Sequence, residues 1–242
     1  MKFNLKSALK LAALAMLVPL AGAGIWGATA NAEGALPVRA PAPTVDESNT
    51  ASSETAVFAG GCFWGVQGVF QHVTGVKSAI AGYAGGTVPN PTYEVVGTEK
   101  TGHAESVQVV FDPHKVSYGQ LLQIFFSVIT DPTTLNYQGN DYGTSYRSAL
   151  FTMNDEQKKV ATAYIAQLDA AKVFKDKIVT EVTPYTNFYR AEDYHQDNAY
   201  TEKVNPGYLL YFDEPKIADM KSLYPSLWME KPVLVFDSNY HS

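Results

Sequence analysis

Past residue 54, apolar positions recur first at the spacing of a strand and then at that of a helix. The junction between them falls on Gly60-Gly61-Cys62-Phe63-Trp64-Gly65. Ala56-Val57-Phe58-Ala59 has the length and composition of a buried strand, and Phe63, Val66, Val69 and Phe70 follow at helical spacing. Val76 to Tyr83 reads as a second strand. In Ala104 to Phe111, Val107, Val109 and Phe111 alternate against Ser106, Gln108 and Val110, which predicts a third. Ser117 and Gln120 are spaced as a capping box and open a helix that runs through Val128 and stops near Asp131-Pro132. Ser145 to Phe151 reads as a strand, Asn154 with Gln157 caps a helix to about Ala171, and Ile178 to Val182 gives a further strand. Strands alternating with helices predict an α/β or α+β two-layer domain.

Two stretches interrupt the pattern. Residues 84–104 are punctuated by Gly85-Gly86, Pro89, Pro91, Gly97 and Gly102, and residues 131–144 carry Gln138-Gly139-Asn140-Asp141. Long irregular loops inside a compact domain are usually functional or disordered. From Asn205 onward the chain is aromatic and proline-interrupted, and no elements are assigned to it.

The N-terminus has a different character. Lys2, Lys6 and Lys10 precede the apolar run Leu11 to Leu20, and Ala30-Asn31-Ala32 follows. A basic n-region, an apolar h-region and an A-x-A site predict a secretory signal peptide over residues 1–32, cleaved after Ala32. The exported, periplasmic location that follows becomes membrane-anchored if cleavage fails. No stable membrane span is expected after cleavage, because Ala21 to Ala30 is rich in glycine and alanine. Residues 33–54 read as a flexible spacer, 55–212 as the domain and 213–242 as a C-terminal tail.

Charge and cysteine content narrow the classes. The full chain carries 18 Lys+Arg against 24 Asp+Glu; losing the three lysines of the first segment leaves 15 against 24, a net of −9. Nucleic-acid and anionic-membrane binding, which need a basic footprint, are not expected. Cys62 is the one cysteine, so no internal disulfide can form. A single cysteine in an exported chain implies intermolecular pairing or a free reactive thiol. Placed in the first turn of a helix, Cys62 is expected to be activated toward the thiolate by unpaired N–H groups and the dipole. A buried structural thiol is the competing reading.

Candidate partners for the sulfur lie at loop–strand junctions. Glu105 shares a strand face with Val107, Val109 and Phe111, so it enters an apolar layer that would raise its pKa as a general acid requires. The alternative is a carboxylate paired with an exposed lysine. His103 or His195 could serve as the base of a Cys–His pair. Tyr93 and Tyr146 are phenols at a loop and at a strand start, two of 15 tyrosines in the chain. Metal-ligand spacing of cysteines and histidines is absent from the sequence.

The segments Gly61-Cys62-Phe63-Trp64-Gly65, Gly82-Tyr83-Ala84-Gly85-Gly86, Asn90-Pro91-Thr92-Tyr93, Thr101-Gly102-His103-Ala104-Glu105, Gln138-Gly139-Asn140-Asp141, Gly143-Thr144-Ser145-Tyr146-Arg147-Ser148 and Glu192-Asp193-Tyr194-His195-Gln196 occur in a telling order. Together they resemble the A-type peptide methionine sulfoxide reductases over roughly residues 55–210. The resemblance implies a ferredoxin-like α+β two-layer sandwich, a mixed sheet with helices on one face. It implies Cys62 as nucleophile, Glu105 as the acid that protonates the sulfoxide oxygen, and Tyr93 and Tyr146 as hydrogen-bond donors to that oxygen. Phe63 and Trp64 would form the methyl pocket, and Asp141 and His195 would contact the substrate backbone. It further implies acceptance of the S epimer, oxidised proteins as substrates, and no bound cofactor. Many relatives regenerate the nucleophile with a second, resolving cysteine. This chain lacks one, so an external thiol, thioredoxin-like or small, is expected to recycle a Cys62 sulfenic acid.

Two other readings differ in their demands. A Cys–His hydrolase or transferase requires an imidazole beside Cys62 and gives Glu105 no role as an acid. A non-enzymatic exported binding module would tolerate loss of the thiol.

Overall fold

A computed structural model describes residues 37–48, 51–201 and 204–236. The expected signal peptide lies outside the described residues.

Strand β1 (Glu54–Gly60) leads through Gly61 into α1 (Phe63–Gln71), which crosses to β2 (Val76–Ala84). A short helix α2 (Tyr93–Val96) sits inside the long loop before β3 (Ala104–Phe111). Helix α3 (Tyr118–Ile124) begins at the expected capping box, with both reciprocal hydrogen bonds formed, and widens into a π-turn at Phe125–Ile129. The hairpin β4 (Tyr137–Gln138) and β5 (Asp141–Tyr142) precedes a 3₁₀ turn, Thr144–Tyr146, and β6 (Ser148–Thr152). Helix α4 (Asp155–Ala170) starts at Asn154, whose side chain accepts from the Gln157 N–H. Strands β7 (Glu181–Pro184) and β8 (Phe188–Arg190) follow, then a 3₁₀ turn at Asp193–His195 and α5 (Asn198–Thr201). Last come α6 (Pro206–Tyr208), a π-turn at Leu209–Asp213 and α7 (Glu214–Leu223).

The strand order in the main sheet is β7-β6-β1-β3-β2-β8, mixed, with only β6 and β7 parallel. β1 and β2, joined through α1, are separated by β3, which pairs antiparallel with both. The central order β6-β1-β3-β2 is the split βαβ arrangement, so the ferredoxin-like expectation holds. Alternation along β3 sends Val107, Val109 and Phe111 into the main core with α1, α3 and α4. The opposite sheet face carries a smaller cluster, Val57, Ala59, Ala84, Ala104, Ala149 and Phe151, without a helical residue.

Several expectations need correction. Ser145 to Tyr146 is a 3₁₀ turn rather than strand; the backbone at Gly143 (φ 141°) turns the chain, and pairing with β1 starts at Ser148. The strand expected at 178–182 begins three residues later, because the Val179 N–H donates to Pro132 and the Thr180 hydroxyl meets Ser148. Residues 37–48, expected within a flexible spacer, lie along α3 and α4. Ala40 is buried, its N–H donates to Ser127, and its carbonyl accepts from Gln123. Asp46 accepts from the Gly119 N–H and the Ser117 hydroxyl. The chain beyond Asn205 is structured too: α7 packs on α1, and the Val233 N–H donates to Gln71.

Candidate active site

The site forms where α1 begins. Gly61 has φ +91°, and a Cβ there would lie 2.8 Å from the side chain of Gln138, so the turn into α1 needs glycine. Cys62 is the N-cap of α1 rather than a first-turn residue, and it is buried. This changes its ionisation. Burial raises the thiol pKa, the negative charges of Glu105 and Asp213 raise it further, and the Trp64 N–H aimed at the sulfur pulls down less than they push up. The free site therefore holds a thiol, and the expected thiolate activation by the helix end does not occur unaided.

Glu105 follows the β3 alternation into the core and meets no lysine. Its Oε2 accepts from the Phe63 N–H at 3.0 Å, so the carboxyl abuts the residue after Cys62. Burial raises its pKa to about 8, the Phe63 bond opposes this, and the charges of Asp141, Asp213 and Glu99 add to it. At neutral pH Glu105 is mainly a protonated acid.

Tyr93 opens α2, and Tyr146 closes the 3₁₀ turn before β6. The two phenols lie near each other and near Glu105 and Cys62, whose negative forms would raise both. Burial pushes Tyr93 up to about 12 and raises Tyr146 further, so both remain donors at any physiological pH. Phe63 and Trp64 flank the sulfur. Their rings lie 4.9 and 5.8 Å from the imidazole of His195, which Tyr93 covers at 4.6 Å. The Trp64 Nε1–H donates to His195 Nδ1 at 3.1 Å, which places the imidazole proton on Nε2. Burial lowers the His195 pKa to about 4, so the ring is neutral. Asp141 accepts from the Tyr208 hydroxyl, and the Tyr208 ring stands edge-on to Trp64 at 5.6 Å. Burial raises the Asp141 carboxyl, while the Tyr208 bond and the Lys216 charge restrain it.

All the residues singled out in the sequence thus converge, except His103. Its Nδ1 accepts from the Gly86 N–H at 3.1 Å and its Nε2 meets the Val88 carbonyl at 2.8 Å. It clamps the 84–104 loop, and with both ring nitrogens engaged it is not the base of a Cys–His pair. His195 is likewise committed to Trp64. Sequence reasoning passed over Glu192, whose carboxylate accepts from the Tyr93 N–H (2.9 Å) and the Tyr83 hydroxyl (2.8 Å). It also passed over Tyr208, Asp213 and Glu99. Glu192 could have been suspected from its place beside Tyr194-His195; the others carry no local signal. Among the described residues there is no cluster of acidic, histidine and cysteine side chains fit to hold a metal ion.

The pattern of the family described as Peptide methionine sulfoxide reductase matches residues 54–226. A Mesorhizobium japonicum protein, Peptide methionine sulfoxide reductase MsrA 2, is 55% identical over 195 residues, 81% of this chain and 100% of that protein. The Deinococcus radiodurans Peptide methionine sulfoxide reductase MsrA is 49% identical over 174 residues, 72% of this chain and 84% of its own. The crystal structure of Mxr1 from Saccharomyces cerevisiae in reduced form superposes with a TM-score of 0.57 at 33% identity, covering 67% of this chain and 91% of that one. Methionine sulfoxide reductase A of Corynebacterium diphtheriae gives 0.54 at 33% identity, covering 73% and 89%.

Proposed function

The chain belongs to the A-type peptide methionine sulfoxide reductase family, and from that premise we propose how its residues reduce the sulfoxide. Cys62 attacks the sulfoxide sulfur while Glu105 gives its proton to the oxygen. That oxygen is a poor leaving group until protonated, and such acid catalysis is typically worth about 10²–10⁴ in rate. Tyr93 and Tyr146 donate to the same oxygen as charge shifts onto it. Phe63 and Trp64 enclose the S-methyl group, and Asp141 and His195 meet the substrate backbone.

The reaction balances within the site. Methionine sulfoxide plus the Cys62 thiol gives methionine plus a Cys62 sulfenic acid; the methionine sulfur is reduced, the cysteine sulfur oxidised, and the oxygen moves between them. Glu105 ends reprotonated by the hydrogen that leaves the thiol. An external thiol then condenses with the sulfenic acid, releasing water, and a second thiol frees Cys62 as the external disulfide departs. The observation that carries this reading is the buried carboxyl of Glu105, held by the Phe63 N–H beside the nucleophile, where burial favours its protonated form.

We also propose that the protein acts after export, on oxidised envelope proteins, with a thioredoxin-like or small-thiol reductant. What supports this is the signal-like pattern of residues 1–32 and the lone cysteine. Mixing the reduced protein with excess methionine S-sulfoxide and no reductant tests the chemistry. About one equivalent of methionine and a trappable sulfenic acid on Cys62 are expected. Absence of methionine with Cys62 unmodified would refute the assignment.

A further inference from the structure

Outside the residues that face the sulfur, Glu99 stands out by its backbone. It is a non-glycine residue at φ +62°, a left-handed conformation that side chains seldom adopt. Its place is the turn just after α2, where its N–H donates to the Val96 carbonyl at 2.9 Å. From there its carboxylate reaches across to the 3₁₀ turn that ends in Tyr146. Oε2 accepts from the Ser145 N–H (2.9 Å) and the Thr144 hydroxyl (2.9 Å), and Oε1 accepts from the Ser145 hydroxyl (2.6 Å). Gly143 makes room for it: a Cβ at that position would lie 2.4 Å from the carboxyl carbon. Burial opposes the charge, yet the Ser145 and Thr144 bonds outweigh it and hold Glu99 ionised.

The opposite end of the same turn is held by Arg147, which donates to the Thr144 carbonyl at 2.8 Å and to the Gly102 carbonyl at 3.0 Å. The turn carrying Tyr146 is thereby gripped on its N–H side by Glu99 and on its carbonyl side by Arg147. Glu99 touches neither Cys62 nor the phenols. It joins the element that starts with Tyr93 to the element that ends with Tyr146.

We propose that Glu99 is a positioning residue that sets the distance between the Tyr93 and Tyr146 hydroxyls by bolting α2 to the Thr144–Tyr146 turn. The proposal rests on the reductase reading above, in which both hydroxyls grip the sulfoxide oxygen. A strained backbone is retained at Glu99 because a carboxylate launched from there reaches the Thr144 and Ser145 hydroxyls and the Ser145 N–H at once.

Four variants test it: Glu99→Gly, Glu99→Gln, Tyr146→Phe and the double variant Glu99→Gly/Tyr146→Phe. Each is reacted with methionine S-sulfoxide without reductant, and the single-turnover rate and half-saturating concentration are measured beside the melting temperature. Glycine suits the left-handed backbone, so Glu99→Gly should melt within a few degrees of the wild type. Its single-turnover rate should fall about tenfold from misplacement of Tyr146, with half-saturation moving less than about twofold. Glu99→Gln keeps a side chain of the same length and should recover most of the rate. In the Tyr146→Phe background, Glu99→Gly should cost almost nothing further, because its effect passes through that hydroxyl. A wild-type rate in Glu99→Gly, or the same loss in both backgrounds, would overturn the proposal. The reductase reading fails differently: the wild type itself would then release no methionine.

Discussion

The backbone N–H of Phe63 donates to the carboxyl of Glu105 at 3.0 Å, across 42 positions of sequence. This bond locks the start of α1, where Cys62 sits, onto the start of strand β3. It gives the acid and the nucleophile a fixed separation before any substrate arrives, so the alignment cost of the chemical step is met by folding.

A proton kept on Glu105 has a thermodynamic cost that can be measured. Its folded pKa of about 8 lies above the ordinary 4.5, so the unfolded chain releases the proton first as pH rises. Stability is therefore lost between these two values, by at most about 1.4 kcal/mol per pH unit. Glu105→Gln, neutral at every pH, should match the wild type near pH 4.5 and exceed it increasingly toward pH 8. Denaturant melts at a series of pH values check this.

In the proposed mechanism the two phenols donate to one oxygen. Tyr93→Phe and Tyr146→Phe should each lower the single-turnover rate by about 10- to 100-fold. Because both hydroxyls serve the same oxygen in this mechanism, the double variant should lose less than the product of the two. Rapid-quench kinetics on the three proteins would show it.

Glu192 gathers the Tyr93 N–H and the Tyr83 hydroxyl, while its carboxylate lies 3.9 Å from His195 Nε2. Glu192→Ala leaves a buried phenol without its acceptor and should destabilise the fold by about 1–3 kcal/mol. Equilibrium urea unfolding measures it.

At Gly61 the requirement is steric and conformational together. Gly61→Ala forces a side chain into φ +91° and against Gln138, whose amide is already bonded to both polar groups of the Asp131 backbone. A loss of at least about 1–2 kcal/mol is expected, with slower turnover because the Cys62 turn shifts. Thermal melting and single-turnover rate together test both parts.

How far the sequence foretold this depends on the range of the interactions. Strand β3 and the capping box at Ser117 were legible because alternation and caps are local signals. The strand face of Glu105 was legible for the same reason, since Val107 and Val109 declare it, but spacing alone favoured a carboxylate paired with an exposed lysine and the acid came from the family resemblance. Ser145 and Tyr146 carry a strand-like pattern but form a turn because their conformation is dictated from Glu99, 46 positions away from Ser145. The helix end that favours a thiolate at Cys62 is visible in the sequence, whereas its burial and the carboxyls of Glu105 and Asp213, which favour the thiol, are set by the fold. Tyr208 and α7 escaped because their burial depends on docking against α1, which the pattern of their own segment does not reveal.

The central claim is that Glu105 delivers a proton to the sulfoxide oxygen, and the pH dependence of the single-turnover rate tests it most directly. With wild-type protein the rate of methionine release should hold steady around neutrality and fall as pH rises through about 8, where the Glu105 proton is lost. Glu105→Gln should be slower by about 10²-fold or more at pH 7 and show no such fall. A Glu105→Gln variant that releases methionine at the wild-type rate, with the same pH profile, would contradict the account.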